Sequence, residues 1–217
     1  MIYLGVFGDN LGATTIYILS QFYDLWGKRW ISIHPNCDKN EFREKLKEAK
    51  AGETDTFIVP LNQKTIKYCQ DCGIRFEIFL YLSGEKRGSL SPKELKDCLA
   101  YRHIMVINSD DKRISPLTIG TGSTYITCGL NGKANVTISS VSNCMEFDRI
   151  QCCVQKTINT ISGASFEPQE FAVNIRGKDK SVSSVLAAVT TMMAGDMEIA
   201  QTIGIMRKGT SKEKKIE

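Results

Sequence analysis

The sequence predicts an α/β protein of three layers, in which a mostly parallel β-sheet is flanked by helices and carries an appended antiparallel β region. Two observations predict this class. In the first half of the chain, short β-branched or aromatic runs alternate with segments of helical period, as in a doubly wound parallel sheet. Between residues 117 and 175 the runs are strand-like and separated by Gly, Asn and Ser turns, which favours antiparallel pairing.

The first half divides into five strands and the helices between them. Residues 14–26 place apolar side chains near helical spacing, and residues 38–51 predict a charged surface helix. Gly73 predicts the C-terminal end of a helix over 65–72. The stretch Ser91-Pro92-Lys93-Glu94 has the pattern of a capping box and starts a further helix. The predicted strands are 2–7, 30–33, 56–61, 76–82 and 103–108.

The second half predicts four further strands, followed by helices. Asn131-Gly132 predicts a hairpin turn between the first two of these strands, which also explains Lys133 without a ligand. Residues 180–194 return to a helical pattern, and Gly195-Asp196 separates them from a last helix to about residue 206. The predicted strands are 124–128, 134–141, 149–156 and 169–175.

The length of 217 residues predicts one domain over 1–206, followed by a disordered basic tail over 207–217. The net charge is +4, and the tail holds five basic residues against two acidic ones. The rest of the chain is therefore nearly neutral, and we expect no nucleic-acid partner.

The composition also bounds the cellular setting. No apolar run approaches the length of a membrane span, and the first residues lack the basic segment of a signal peptide, so we expect a cytoplasmic protein. The eight cysteines are expected to be reduced thiols, and only Cys69 and Cys72 have CxxC spacing. Two histidines do not favour a histidine-based metal centre, and we assign no metal ligand and no catalytic residue.

A strand, a glycine-rich turn and a helix follow one another at the N-terminus, which is the local order of a phosphate-binding loop and predicts a P-loop-like sheet. The candidate phosphate- or nucleotide-binding residues here are Gly8, Asn10, Gly12, Thr14 and Thr15. The lysine of such loops is missing, and Asp9 adds a negative charge. A turn without a ligand, with threonines that only cap the helix, explains the pattern equally well.

A second candidate group is formed by Asn108, Asp110 and Asp111, which follow the strand 103–108. The carboxyl ends of parallel strands meet at one edge of the sheet, where ligands bind in doubly wound folds. The competing interpretation is a turn in which these side chains bond the local backbone.

At this point the chain resembles a known family. Four segments resemble, in order and spacing, the central ATP-binding domain of the Mur ligases, a family that also includes the folylpolyglutamate synthases. The resemblance covers nearly the whole chain and implies ATP and Mg²⁺ as cofactors. The segments are VFGDNLGATTIYILSQFYDLWGKRWISI (6–33), VINSDD (106–111), YITCGLNGKANVTISSV (125–141) and SVSSVLAAVTTMMAG (181–195).

The departures from the family pattern fall at the positions that bind phosphate, magnesium and adenine in the family. Gly12 stands at the position of the phosphate-binding lysine, Ala13 at that of the magnesium-binding hydroxyl, and Pro60 where the family has a magnesium-binding glutamate. The segment LYLSGEKRG (80–88) lacks the family's histidine and aspartates. The adenine-side segment over 177–183 lacks its histidine and both asparagines. No lysine matches the family's modified lysine securely; Lys93 and Lys96 lie only in the right region.

The resemblance therefore implies a catalytically degenerate Mur-ligase-like central domain, a pseudoenzyme that acts as a binding or regulatory module in bacterial cell-wall (peptidoglycan) metabolism. We expect it to act with a protein partner or as a homo-oligomer. The alternative is an ATP-dependent acid–amino acid ligase or ATPase subunit completed by a partner chain. A third class is a nucleotide or small-ligand binder that uses the crevice at the carboxyl ends of the strands.

Overall fold

The computed structural model describes residues 1–8, 10–82, 96–112, 123–143, 148–175 and 181–197. The predicted capping box at 91–94, the adenine-side segment at 177–180 and the tail at 207–217 lie outside them. The helices of the described part are α1 (Asn10–Leu25), α2 (Lys39–Ala51), α3 (Gln63–Asp71) and α4 (Val182–Ala194). The strands are β1 (Ile2–Phe7), β2 (Trp30–Ser32), β3 (Thr56–Pro60), β4 (Phe76–Tyr81), β5 (Leu99–Asn108), β6 (Ser123–Cys128), β7 (Val136–Asn143), β8 (Asp148–Val154), β9 (Ile158–Asn159), β10 (Ser165–Phe166) and β11 (Gln169–Ile175).

Nine strands form one sheet in the order β11-β8-β7-β6-β5-β4-β1-β3-β2. The strands from β2 to β6 in this order are all parallel. The strand β7 joins them through a single parallel pair, Cys128 with Val136, and then pairs antiparallel with β8, as β8 does with β11. The predicted architecture, a mostly parallel sheet with an appended antiparallel region, is confirmed.

The side chains of β1 show why the sheet is covered on both faces. Leu4 and Val6 pack in a core with α1 and α4, whereas Phe7 packs in a second core with α2 and α3. Successive side chains of a strand point to opposite faces, so a fully buried parallel strand is apolar throughout. The same argument holds for β3, where Phe57 and Ile58 lie in different cores and are both fully buried.

Local sequence sets the helix ends. The side chain of Asp38 caps α2 by accepting from two backbone N–H groups, and Asn62 forms a capping box with Thr65 at the start of α3. Gly73 follows α3 with a φ of +66°, which confirms its predicted place at the helix end. The helix α1 begins at Asn10 rather than at residue 14, so only two residues separate it from β1.

The predicted hairpin at Asn131-Gly132 is wrong. The chain does turn there, but β7 then runs parallel to β6 and finds its antiparallel partner in β8. Asn135 directs this course, because its side-chain oxygen accepts from the backbone N–H of Thr127 at 2.9 Å and from the Thr127 hydroxyl at 2.7 Å. No helix in the described residues is long and apolar enough to cross a membrane.

Candidate functional site

A cleft of about 470 Å³ opens at the carboxyl ends of β1, β2 and β3, beside the first turn of α1. We call it the β1–β3 cleft. It lies at the edge of the sheet where doubly wound folds bind their ligands. Its described lining residues are Val6, Gly8, Asn10, Gly12, Ala13, Ile16, Ser32, Ile33, His34, Pro35, Pro60, Leu61 and Asn62.

Three of the candidate residues from the N-terminal motif line this cleft: Gly8, Asn10 and Gly12. Gly8 has a φ of +152°, a backbone conformation that favours glycine, and it turns the chain from β1 into α1. A Cβ atom at Gly12 would lie 3.6 Å from the Val6 side chain, which is an ordinary contact. The position therefore has room for a Cβ atom.

The other two candidates of that motif hydrogen-bond within the helix. The Thr14 hydroxyl donates to the Asn10 carbonyl at 3.0 Å, and the Thr15 hydroxyl donates to the Leu11 carbonyl at 2.7 Å. Thr15 is fully buried. Neither is among the lining residues of the cleft. Such bonds to the preceding turn are the usual way in which a helix accommodates threonine.

The described lining of the cleft contains no lysine, arginine, aspartate or glutamate. A nucleoside triphosphate with Mg²⁺ needs cationic side chains for its phosphates and oxygen ligands, chiefly carboxylates, for the metal. The strand β3 ends in Pro60, which offers neither. Across the described part of the chain, no group of three or more His, Cys, Asp or Glu side chains could hold a metal ion. The described residues of this cleft therefore do not fit a magnesium-bound polyphosphate.

Sequence reasoning did not place His34, Ser32 or Asn62 in the site. His34 begins a turn closed by a hydrogen bond from the Cys37 N–H to the His34 carbonyl at 3.0 Å. Asn62 caps α3 and also donates its side-chain N–H to the Pro35 carbonyl at 2.7 Å. His34, a polar residue directly after the predicted strand 30–33, was the available signal, but its use required the strand order that puts β2 beside β3.

Asn108 and Asp110 lie at the same edge of the sheet but outside the described lining of the cleft. Asp110 accepts from the Leu130 N–H at 2.6 Å and from the Asn131 side-chain N–H at 2.9 Å. The Asn131 side chain also donates to the Ser109 hydroxyl at 2.7 Å. We call this group the Asp110 junction; it consists of Asn108, Ser109, Asp110, Gly129, Leu130 and Asn131.

Asn108 connects the junction to the neighbouring strands. It is 8% exposed, and its side chain donates to the Leu82 carbonyl at 3.0 Å and accepts from the Asp110 N–H at 3.1 Å. The Leu82 N–H in turn donates to the Phe7 carbonyl at 2.8 Å. The carboxyl ends of β1, β4 and β5 are thereby hydrogen-bonded in a row. Asp111, the third residue of this candidate group, also interacts within the protein.

Two thiols near these regions are held in the protonated form. Burial raises the pKa of Cys128 to about 12, and the negative charge of Asp110 adds to this effect. Burial also raises the pKa of Cys37, the last residue of the turn that begins at His34, and the charges of Glu41 and Asp38 act in the same direction. A thiol with a raised pKa is a poor nucleophile, so both cysteines act as packing residues.

Solved structures share this architecture. MurF ligase from Thermotoga maritima, in complex with ADP, matches 94% of this chain and 48% of its own, with a TM-score of 0.62 and 11% identity. The UDP-N-acetylmuramoylalanyl-D-glutamyl-2,6-diaminopimelate–D-alanyl-D-alanyl ligase from Acinetobacter baumannii matches 96% of this chain and 46% of its own, with a TM-score of 0.69 and 11% identity. Folylpolyglutamate synthetase from Lactobacillus casei matches 89% of this chain and 57% of its own, with a TM-score of 0.55 and 10% identity.

The chain has a Mur-ligase-like fold. This confirms the fold expected from the four sequence segments, and it confirms the likeness to both the Mur ligases and the folylpolyglutamate synthases. The chain spans about half the length of the ligases it matches. No protein-family model and no curated protein sequence matches it.

Proposed function

We propose that this chain is a catalytically degenerate Mur-ligase-like central domain that serves as a binding or regulatory module in bacterial cell-wall metabolism. The observation that carries the proposal is the lack of charged side chains among the described lining residues of the β1–β3 cleft, on a fold shared with solved ligases. The link to the cell wall rests on those ligases. The proposal includes a cytoplasmic location and a protein partner or a second copy of the chain.

The chemistry of the fold's ligases makes the missing charges decisive. An acid–amino acid ligase passes through an acyl phosphate, and both the phosphoryl transfer and the displacement by the amine concentrate negative charge. Removing a single group that stabilises such charge typically lowers the rate by two or three orders of magnitude. In this chain the lysine position of the loop is Gly12, the hydroxyl position is Ala13, and β3 ends in Pro60. Ligation by this domain alone is therefore not expected.

Calorimetric titration with ATP and Mg²⁺ up to millimolar concentration tests the proposal. The natural chain is compared with a Gly12→Lys, Ala13→Thr variant, which restores the family's residues at two positions. A Cβ atom at Gly12 makes only an ordinary contact, the position lines the cleft, and Ala13 is exposed, so we expect both substitutions to be tolerated. A Gly12→Met, Ala13→Thr variant is the matched control, because it adds similar bulk without the charge.

We expect no binding of ATP by the natural chain or by the methionine control, and measurable binding by the lysine variant. Tight, magnesium-dependent binding by the natural chain would contradict the proposal. That result would favour the alternative, an ATP-dependent acid–amino acid ligase or ATPase subunit completed by a partner chain.

A further inference from the structure

The turn at the mouth of the cleft holds His34 in one place. Proline at the second position of a four-residue turn fixes its φ, and Pro35 occupies that position here. The turn is closed by the bond from the Cys37 N–H, and Cys37 itself is 3% exposed. The Asn62 side chain, from the residues that follow β3, donates to the Pro35 carbonyl. The imidazole of His34 is therefore presented by a backbone anchored at three points.

The hydrogen bond made by one ring nitrogen fixes the tautomer of His34. The backbone N–H of Asn36 donates to Nδ1 of His34 at 3.2 Å, so Nδ1 carries no proton. The proton of the neutral ring is then on Nε2. Within the described residues Nε2 makes no hydrogen bond, and His34 is exposed at the cleft. The ring thus offers a free N–H donor.

The rest of the cleft defines the chemistry that would meet this donor. Val6, Ile16, Ile33 and Leu61 make much of its wall apolar. The Asn10 side chain lines it without a hydrogen bond to any described residue. A cavity of this volume with apolar walls and a few polar groups is typical of a small-molecule site. The described lining offers a ligand phosphate no cationic side chain with which to form a charge-assisted hydrogen bond.

We propose that the β1–β3 cleft binds an uncharged nucleoside-sized ligand and that His34 selects it by donating Nε2–H to a carbonyl or ring-nitrogen acceptor. This inference rests on the proposed function of the domain as a binding module. The inference makes His34 a specificity-determining residue. It also predicts that the cleft prefers an uncharged ligand, whereas an ATP site prefers a charged one.

Imidazole NMR tests the inference directly, because the chain has only two histidines. His103 is an internal reference: it is 6% exposed, its Nδ1 lies 2.7 Å from the Ala100 carbonyl and its Nε2 lies 2.8 Å from the Ser123 hydroxyl. A carbonyl can only accept, so neutral His103 carries its proton on Nδ1, the opposite tautomer to His34. Long-range ¹H–¹⁵N spectra distinguish the two rings.

The probes are adenosine, AMP and ATP, which share one heterocyclic body and differ in charge. We expect adenosine to shift the His34 resonances and leave those of His103 in place, and we expect affinity to fall at least tenfold from adenosine to ATP. His34→Leu removes the donor and should weaken adenosine about tenfold, while His34→Gln, which keeps a side-chain N–H, should retain most of the affinity.

The outcomes separate this inference from the proposed function. Adenosine binding that leaves the His34 resonances and the His34→Leu affinity unchanged would overturn the role of His34, and the binding module would stand. Absence of adenosine binding would overturn the inference, again without affecting the proposed degeneracy. Tight binding of ATP with Mg²⁺ by the natural chain would overturn both.

Discussion

The Asp110 junction and the β1–β3 cleft lie at the same edge of the sheet but differ in how far their polar side chains are hydrogen-bonded within the protein. In the Asp110 junction the side chains of Asn108, Asp110 and Asn131 are bonded to backbone and to one another. In the β1–β3 cleft, by contrast, the Asn10 side chain and the Nε2 atom of His34 make no hydrogen bond within the described residues. The junction connects strands, whereas the cleft keeps hydrogen-bonding capacity for a ligand.

This difference shows that a cluster of polar residues in the sequence is a poor guide to a binding site. A side chain that satisfies buried backbone groups has little capacity left for a ligand, since a buried group left without its partner is destabilising. The run VINSDD has the denser polar pattern, yet two of its side chains, Asn108 and Asp110, are used to hold β4, β5 and the β6–β7 turn together. Substitutions of the same kind, one in the junction and one in the cleft, can test this comparison.

The largest expected effect is that of Asn108→Ala compared with Asn10→Ala. The first change leaves the buried Leu82 carbonyl and the partly buried Asp110 N–H without their partner, so we expect a loss of about 1–3 kcal/mol in the free energy of unfolding. The second removes an exposed side chain without a described hydrogen bond and should change stability by less than about 0.5 kcal/mol. Urea unfolding measures both, and equal losses would remove the distinction between the two regions.

A pair of glycines tests the same difference by adding one methyl group. At Gly129 a Cβ atom would lie 2.6 Å from the Ser109 hydroxyl and 2.8 Å from an Asp110 carboxylate oxygen, so Gly129→Ala should destabilise by about 1–2 kcal/mol. At Gly12, inside α1, the added carbon meets only Val6 at 3.6 Å, so Gly12→Ala should stabilise by up to about 1 kcal/mol. Opposite signs in thermal unfolding support the comparison; a loss at Gly12 contradicts it.

Asn62 lines the cleft, but its side-chain oxygen and nitrogen are both already hydrogen-bonded, so its variants sharpen the comparison within the cleft. Asn62→Ala should cost about 1 kcal/mol of stability by removing the cap of α3. Asn62→Asp keeps the cap but loses the N–H that holds Pro35, so it should preserve most of the stability while broadening the His34 resonances in NMR spectra. Asn36→Ala, an exposed asparagine of the same turn, is the control and should do neither.

The smallest expected effect concerns the ion pair between Lys39 and Asp71, which joins α2 to α3 away from both regions. The Lys39 ammonium lowers the pKa of Asp71 by hydrogen bonding and by its charge. A lowered folded-state pKa contributes stability that is present above the unfolded carboxyl pKa of about 3.9 and is lost as pH falls through the folded value.

Lys39→Ala should therefore lower stability slightly at pH 7, and this loss should shrink as the pH falls to 2 and Asp71 takes up its proton. Because both side chains are largely exposed, solvent screening keeps the difference small. Unfolding curves at the two pH values measure it, and Lys47→Ala on the same helix should show no such pH dependence. A larger loss at pH 2 than at pH 7 would contradict the sign of the argument.

Part of the candidate site was predictable from the chain. The glycine-rich turn after β1 placed Gly8, Asn10 and Gly12, and all three line the cleft. The start of α1 was expected four residues too late, because a stretch rich in glycine and threonine has little helix propensity and the packing of α1 against β1 and α4 is not local. His34 was not expected, because its neighbours in the cleft come from β1, α1 and the residues after β3.

By itself, the sequence determined the alternation of strands and helices, the layers of apolar residues on both faces of the sheet, and the absence of a lysine in the loop after β1. These features depend on side-chain period and on residue identity, which are local properties. Only the tertiary structure decided that β7 runs parallel to β6, that Asp110 meets Leu130 and Asn131, and that His34 faces the cleft. The contacts of Asp110 and the place of His34 depend on strand order, which brings together residues about 20 or more positions apart in the chain. The course of β7 depends on the side-chain hydrogen bonds of Asn135, which no local pattern specifies.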